Sequence, residues 1–142
     1  MSNELANVAN VNTGIQNQFI STLDMGTVSG KIKVQNAFAN AKSLNDVNED
    51  EILWICDAII TPGIRKGRKG APDTECQNTY LIDTDGNAYF TQSDGIARDI
   101  NFIMYIFDDM GKNSTDNGFL KVKITEKKLP NGNTIKNAVL CE

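Results

Sequence analysis

The sequence of 142 residues contains no histidine. This absence excludes His-based acid–base catalysis and His-containing catalytic triads, and it removes the commonest ligand of transition metals. Cysteine is scarce as well: the three cysteines are Cys56, Cys76 and Cys141, an odd number without a C-x-x-C pair. That pattern indicates reduced thiols in a cytoplasmic protein, not a disulfide framework or a zinc site. We therefore expect no catalytic residues, no metal and no cofactor.

Long apolar runs are also missing. No segment approaches the roughly 20 apolar residues that span a bilayer, and the N-terminus has neither the basic nor the apolar region of a secretory signal. We expect a cytoplasmic protein without a membrane partner. The length fits one domain, and 40% hydrophobic with 23% charged residues is ordinary for a globular chain.

The first 18 residues are rich in asparagine and in small side chains. We expect a flexible N-terminal tail over residues 1–18 and a folded domain over residues 19–142. Three apolar residues of the tail, Leu5, Val8 and Val11, are spaced so that they can instead dock on a neighbouring molecule. The second interpretation predicts a homo-oligomer formed through the tail.

Positive charge is concentrated in two short segments. Residues 58–72 carry four cations and no acids, and residues 119–128 carry four lysines and one acid. Together they hold +7 in a chain whose net charge is −4, which leaves −11 on the rest. Because local fields rather than net charge steer an anionic ligand, this polarised distribution permits a polyanion partner.

The order of predicted elements indicates the fold. Residues 52–61 read as a strand, residues 62–76 as a long basic loop, and residues 78–83 and 88–91 as a hairpin around Asp85-Gly86. Ser93 is a candidate N-cap for a helix whose apolar residues recur from Ile96 to Met110. Strands over 119–127 and 134–141 follow. Residues 19–25 are compatible with another strand and residues 31–44 with a short helix. Five strands with one helix between the third and fourth match an OB-fold barrel. A generic α+β sheet is the alternative.

Basic side chains supply the first candidate binding residues. Arg65, Lys66, Arg68 and Lys69 lie on the loop between the first two main strands, where an OB-fold groove has its rim. Such cations neutralise phosphates and release counterions without reading sequence. The alternative is a solvated loop. Lys121 and Lys123 share one strand face with Phe119, either beside the groove or as solubilising charges.

Aromatic side chains supply the second set. With a two-residue turn at Asp85-Gly86, Ile82 should pair with Tyr89 and Leu81 with Phe90. This register places Tyr80 and Tyr89 on one face, where tyrosines can stack on bases. The alternative is that they pack in the barrel. Trp54 lies in the first main strand, where a lone tryptophan is more often a core residue, and a groove position is the second interpretation.

A resemblance rests on the residues from 52 to 100, particularly the stretch NTYLIDTDGNAYFTQSDGIARDI. The stretch resembles the single-stranded-DNA-binding proteins of Gram-positive phages and conjugative elements. The resemblance implies an OB-fold, no catalysis, and sequence-tolerant binding of single-stranded DNA, with RNA not excluded, during replication or transfer. It also implies that the basic loop, Tyr80 and Tyr89 contact the strand.

Two other classes remain open. An OB-like barrel can serve as a protein-interaction adaptor whose basic loop docks on an acidic partner. A small hydrolase or nuclease with a carboxylate-bound metal is the third reading, in which added divalent metal would give turnover of an oligonucleotide.

Overall fold

The computed structural model describes residues 19–142, so Leu5, Val8 and Val11 lie outside the described residues. A short 3₁₀ turn lies at Leu44–Asp46. Within this part of the chain the elements are β1 (Ile20–Ser21), α1 (Val28–Asn40), β2 (Lys42–Ser43), β3 (Ile52–Arg65), β4 (Thr74–Asp83), β5 (Ala88–Thr91), α2 (Asp94–Ile106), β6 (Leu120–Lys128) and β7 (Thr134–Cys141).

One curled sheet contains all of these strands in the order β2-β5-β4-β3-β6-β7, with β1 paired to β3. The long strand β3 joins the two halves, because its first residues pair with β6 and the rest with β4. A bulge at Cys56 separates the two regions, and bulges of this kind bend a strand and increase its twist. The result is a mostly β, OB-like half-barrel. The predicted order of five main strands, with a helix between the third and fourth, is confirmed.

The edges of the sheet are β2 and β7, which are not paired with each other in the described part of the chain, and helix α2 packs against β7 and β4. It begins as predicted, since the hydroxyl of Ser93 accepts a hydrogen bond from the Ile96 N–H at 3.2 Å. The carboxylate of Asp99, in the same helix, accepts a hydrogen bond of 3.0 Å from the backbone N–H of Ala138 on the free edge of β7. The helix therefore takes the place of a closing strand pair. Its apolar residues complete the main core, which also includes Ile55, Ile60, Leu81 and Val122.

The predicted C-terminal end of this helix is wrong. The apolar pattern extends to Met110, whereas α2 ends at Ile106. The side chain of Asp109 accepts hydrogen bonds from the N–H groups of Gly111 and Asn113 and from the Ser114 hydroxyl. Side-chain acceptors of this kind stabilise a loop at the expense of further helical turns. Met110 is nevertheless fully buried, so the apolar pattern identified a core residue correctly.

The predicted pairing of β4 with β5 is wrong by one residue. Leu81 pairs with Tyr89, and Tyr80 pairs with Phe90. The Asp83 N–H donates to the Asn87 carbonyl, and the Asp83 carbonyl accepts a hydrogen bond from the Gly86 N–H. Asp83 and Asn87 therefore close the hairpin, and the loop between them has three residues, 84–86. Gly86 has a φ of 88°, as the last position of such a loop requires. A slip of one residue exchanges the two faces of a strand, so Tyr80 and Tyr89 lie on opposite faces.

Helix α1 packs on the outer face of the sheet, opposite the main core. Its N-cap is Thr27, whose hydroxyl accepts a hydrogen bond from the Gly30 N–H, and the helix starts and ends earlier than the predicted range of 31–44. Val34 and Ala37 pack on the outward side chains of β3, β4 and β5, which are Ile59, Ile82 and Ala88. Because β3 is covered on both faces, its run of apolar residues does not alternate with polar ones.

The predicted basic loop is mostly a continuation of two strands. β3 and β4 remain paired from Thr61 to Arg65 and from Thr74 to Asn78, which leaves only residues 66–73 as the hairpin tip. Pro62 lies beyond the pairing of β3 with β1, which ends at Ile60 among residues 19–142, and a proline is tolerated where the strand needs no donor on that side. Among residues 19–142, neither helix has the length and apolar character needed to cross a bilayer.

Candidate nucleic-acid interface

The first part of the interface is the outer surface of β4 and β5, called here the β4–β5 face, with Asn78, Tyr80, Phe90 and Gln92 from the strands and Phe38 from α1. Tyr80 lies in the middle, with its ring centroid 4.8 Å from that of Phe38 and 5.2 Å from that of Phe90. Phe38 is 44% exposed, and Tyr80 and Phe90 are half-buried. Burial raises the pKa of Tyr80, so its hydroxyl stays neutral at physiological pH.

Amide side chains continue this face beyond the aromatic rings. Gln92 donates from its side-chain nitrogen to the Asn78 side-chain oxygen at 3.0 Å and to the Ile64 carbonyl at 3.1 Å. These bonds tie the end of β5 to the β3–β4 hairpin. The face therefore passes from apolar rings to polar groups as it approaches the hairpin tip.

The second part is the basic arm, the projecting β3–β4 hairpin that carries Arg65, Lys66, Arg68 and Lys69. Its tip is held by a bond from the Ala71 N–H to the Arg68 carbonyl, with Lys69 at φ 52° and Gly70 at φ 83° between them. Two left-handed residues in succession form a type I′ turn, which suits the twist of a hairpin. The sequence therefore forms a paired hairpin arm where a long loop over residues 62–76 was predicted.

The four cations of the arm are not equivalent. The Arg65 guanidinium donates to the Gln92 carbonyl at 2.6 Å and contacts the Asp94 carboxylate at 3.3 Å, and Lys66 lies 3.5 Å from the Asp73 carboxylate. Arg65 thus fixes the arm to the end of β5. Arg68 and Lys69 have no carboxylate partner among residues 19–142, which leaves their charges available to a ligand.

Between the basic arm and the β6–β7 hairpin lies a groove of about 650 Å³, called here the loop groove. Arg65 and Arg68 line one wall, and Thr134, Ile135 and Lys136 line the other. Thr91, Gln92, Ser93, Asp94, Gly95 and Asn45 complete its lining. The groove adjoins the polar end of the β4–β5 face through Gln92. Loops at these two positions flank the ligand site of an OB-fold.

Tyr89 lies on the inner side of the sheet, away from this surface. Its ring packs against the main core, and its hydroxyl donates to the Asp83 carboxylate at 3.3 Å. Burial raises its pKa, and the Asp83 carboxylate raises it further. Phe90 occupies the outward position that the sequence-based register gave to Tyr89.

Trp54, Lys121 and Lys123 lie together on a third surface, formed by the outer side of β3, β6 and β7. Trp54 is 52% exposed and stacks on Phe119, with ring centroids 5.3 Å apart and the planes 17° from parallel. The expectation of a core tryptophan is therefore wrong. The alternation predicted for β6 is confirmed, since Leu120, Val122 and Ile124 are buried beneath this surface.

A cleft of about 540 Å³ between α1 and the β4–β5 hairpin contains Cys56 and Asp57. Burial raises the pKa of the Cys56 thiol, and the adjacent Asp57 carboxylate raises it further, which keeps the thiol protonated and weakly nucleophilic. Asp57 is buried and holds an ion pair with Lys112 and a hydrogen bond from the Thr22 hydroxyl. Among residues 19–142, no three metal-binding side chains lie close enough to hold an ion.

An OB-like half-barrel with aromatic rings on one outer face and unpaired cations beside a groove defines a nucleic-acid-binding class of protein. Comparison with known families agrees. Residues 13–137 match the family described as Phage Single-stranded DNA-binding protein. The chain belongs to this family of phage single-stranded-DNA-binding proteins. No curated protein and no solved structure matches the chain significantly.

Sequence reasoning missed three aromatic residues that the structure exposes on these surfaces: Phe38, Phe90 and Phe119. Phe119 was placed on the correct strand face but not assigned a role. The register error placed Phe90 on the face opposite Tyr80, and a three-residue loop ending at Gly86 gives the correct pairing of Tyr80 with Phe90. Phe38 lies on a helix whose packing on the sheet had no sequence signature.

Proposed function

We propose that the protein coats or protects single-stranded DNA without sequence preference during replication or conjugative transfer of a mobile element. The strand lies across the β4–β5 face and enters the loop groove. Bases stack on Phe90, Tyr80 and Phe38, and phosphates meet Arg68 and Lys69. The observation that carries the proposal is the continuity of this surface, from rings through amides to unpaired cations.

Magnitudes agree with such a site. Stacking of a base on an aromatic side chain contributes ~1–3 kcal/mol, and every base has a face that can stack. Each phosphate neutralised on a single strand adds about 0.7 to the slope of log affinity against log salt concentration. Neither contribution reads base edges, so tolerance of sequence follows from the residue types.

The test is a titration of the full chain into fluorescently labelled oligothymidine and a mixed-sequence oligonucleotide of equal length, followed by anisotropy at several salt concentrations. We expect binding that weakens steeply as salt rises, with similar affinities for the two oligonucleotides. Absence of binding at low salt would contradict the proposal. A large preference for one sequence would contradict the part that concerns specificity. A matched RNA oligonucleotide measures the preference for DNA.

A protein-interaction adaptor is the second candidate, and one observation favours it. Phe102, Tyr105 and Ile106 follow one face of α2 and are 67%, 88% and 56% exposed. Contiguous exposed apolar side chains are typical of protein contacts. This function predicts that no oligonucleotide binds at low salt.

The tail prediction belongs to the same proposal. If Leu5, Val8 and Val11 join neighbouring protomers along a strand, deletion of residues 1–12 lowers the oligomer size measured by light scattering. An unchanged size would contradict oligomerisation through the tail.

A further inference from the structure

The third surface is an outward-facing region of β3, β6 and β7, called here the tryptophan face, which contains Ile52, Trp54, Phe119, Lys121, Lys123 and Val139. Trp54 is directly opposite Lys121 in the β3–β6 pairing, and Ile52 is opposite Lys123. Val139 is opposite Lys123 on the other side. Directly opposite side chains on one face have their Cβ atoms about 5 Å apart. Each lysine therefore lies beside an exposed apolar residue.

We propose that the tryptophan face is a second contact surface for single-stranded nucleic acid, separate from the β4–β5 face and the loop groove. The inference rests on the proposed function, because it concerns the same ligand. It adds to the β4–β5 face and the loop groove a second region of the same molecule that contacts the nucleic acid.

Ring geometry supports a base as the ligand. The Trp54 and Phe119 rings are stacked and nearly parallel, and Trp54 remains half exposed. The Phe119 ring holds the indole in place from one side, so less conformational freedom is lost when a base stacks on it. An exposed aromatic pair fixed in this way resembles the stacking platforms of single-strand-binding surfaces.

Charge supports an anionic ligand. The Lys121 side chain has no ion pair or hydrogen bond among residues 19–142, and the Lys123 side chain has only Asp50 at 4.0 Å, with that carboxylate 67% exposed. None of the six residues of the face is acidic. Within this part of the chain Lys121 is therefore unpaired, and Lys123 has a single exposed partner at the outer limit of an ion pair, where the attraction is weak. Such cations beside stacked rings are the combination that contacts the backbone and bases of a single strand.

The same charges oppose a second copy of the chain as the occupant. A twofold-symmetric contact places the same patch of both molecules together. Lys121 and Lys123 would then approach their counterparts across the axis, and like charges in such a contact are unfavourable. Nucleic acid neutralises these lysines, whereas a symmetric partner adds to the repulsion.

The test uses the fact that Trp54 is the single tryptophan of the chain, so that tryptophan emission reports on this face alone. The full chain is saturated with unlabelled oligothymidine, and quenching of Trp54 by acrylamide is measured with and without it. In parallel, anisotropy of a labelled oligonucleotide measures binding anywhere on the protein. We expect the bound strand to protect Trp54 from acrylamide.

Two double variants make the result specific. Lys121→Gln/Lys123→Gln should lose much of the protection and lower the salt slope by about 1.4, because two phosphate contacts are removed. The matched control, Lys31→Gln/Lys33→Gln, removes two exposed lysines from α1 and should leave Trp54 protection unchanged.

The outcomes separate the two claims. Binding by anisotropy with Trp54 still accessible to acrylamide overturns the inference and leaves the proposed function standing. Protection that survives Lys121→Gln/Lys123→Gln at full affinity also overturns it, because the effect is then indirect. Protection that grows with protein concentration without oligonucleotide assigns the face to a second copy. No binding at low salt overturns both claims.

Discussion

At the scale of single residues, Asp83 decides which aromatic side chains face outward. Its carboxylate accepts the N–H groups of Asp85 and Asn87 at 3.0 and 2.9 Å, and these bonds fix the three-residue loop. With that loop, Phe90 rather than Tyr89 joins Tyr80 on the outer face. A carboxylate beside a turn therefore determines the composition of the proposed binding surface.

Phe38 provides the residue-scale prediction. Phe38→Ala should weaken binding of oligothymidine about 5- to 150-fold, because one stacking contact of ~1–3 kcal/mol is removed. The free energy of unfolding should change by less than about 1 kcal/mol, since the ring is 44% exposed. Anisotropy and urea denaturation measure the two effects.

Ile32→Ala is the matched control, because Ile32 lies on the same helix and is 51% exposed. It should leave the affinity unchanged. Equal affinities for wild type, Phe38→Ala and Ile32→Ala would remove α1 from the binding surface.

Sequence could predict part of this site. Strict alternation in β6 separated Leu120, Val122 and Ile124 from the outward lysines, because one face of that strand is buried and the other is exposed. The Asp85-Gly86 pair predicted a hairpin but not its register, since two- and three-residue loops both accept glycine at a positive φ. The exposure of Trp54 was not predictable, because it depends on which side of β3 the sheet curls toward.

At the scale of elements, α2 closes the barrel in place of a strand pair. The Asp99 carboxylate accepts hydrogen bonds from the Ala138 backbone N–H at 3.0 Å and from the Asn137 side-chain amide at 2.9 Å. The order of β3, β4, β5, α2, β6 and β7 could be predicted, because each element has its own period and turn residues. Helix α1 could not be placed on the sheet, since its buried residues include the small Gly30 and Ala37 while Val28, Ile32 and Phe38 are exposed.

The contact between Asp99 of α2 and the edge of β7 gives the element-scale prediction. Asp99→Ala should destabilise the fold by about 1–3 kcal/mol, because the Ala138 N–H loses its hydrogen-bond acceptor in a buried position. Urea denaturation measures the change. Asp108→Ala, an exposed carboxylate on the following loop, is the control and should have little effect. Equal stability of the two variants would show that α2 does not secure this edge.

At the scale of the whole molecule, a chain with a net charge of −4 places Arg68 and Lys69 on the basic arm and Lys121 and Lys123 on the tryptophan face. Under the proposed function, this acidic remainder repels a polyanion and favours contact at the β4–β5 face, the basic arm, the loop groove and the tryptophan face. Because Arg65 and Lys66 are engaged by Asp94 and Asp73, the arm offers two free charges rather than four. Counting cations in the sequence therefore overstated the charge that a ligand meets there.

The most direct test of the central claim is the salt dependence of oligothymidine binding by Arg68→Gln/Lys69→Gln. This variant removes the two unpaired cations of the basic arm. Arg98→Gln/Lys31→Gln is the control, because it removes one arginine and one lysine that are exposed on α2 and α1. We predict that the arm variant lowers the slope of log affinity against log salt by about 1.4, whereas the control does not. Equal slopes for wild type and the arm variant would contradict the account.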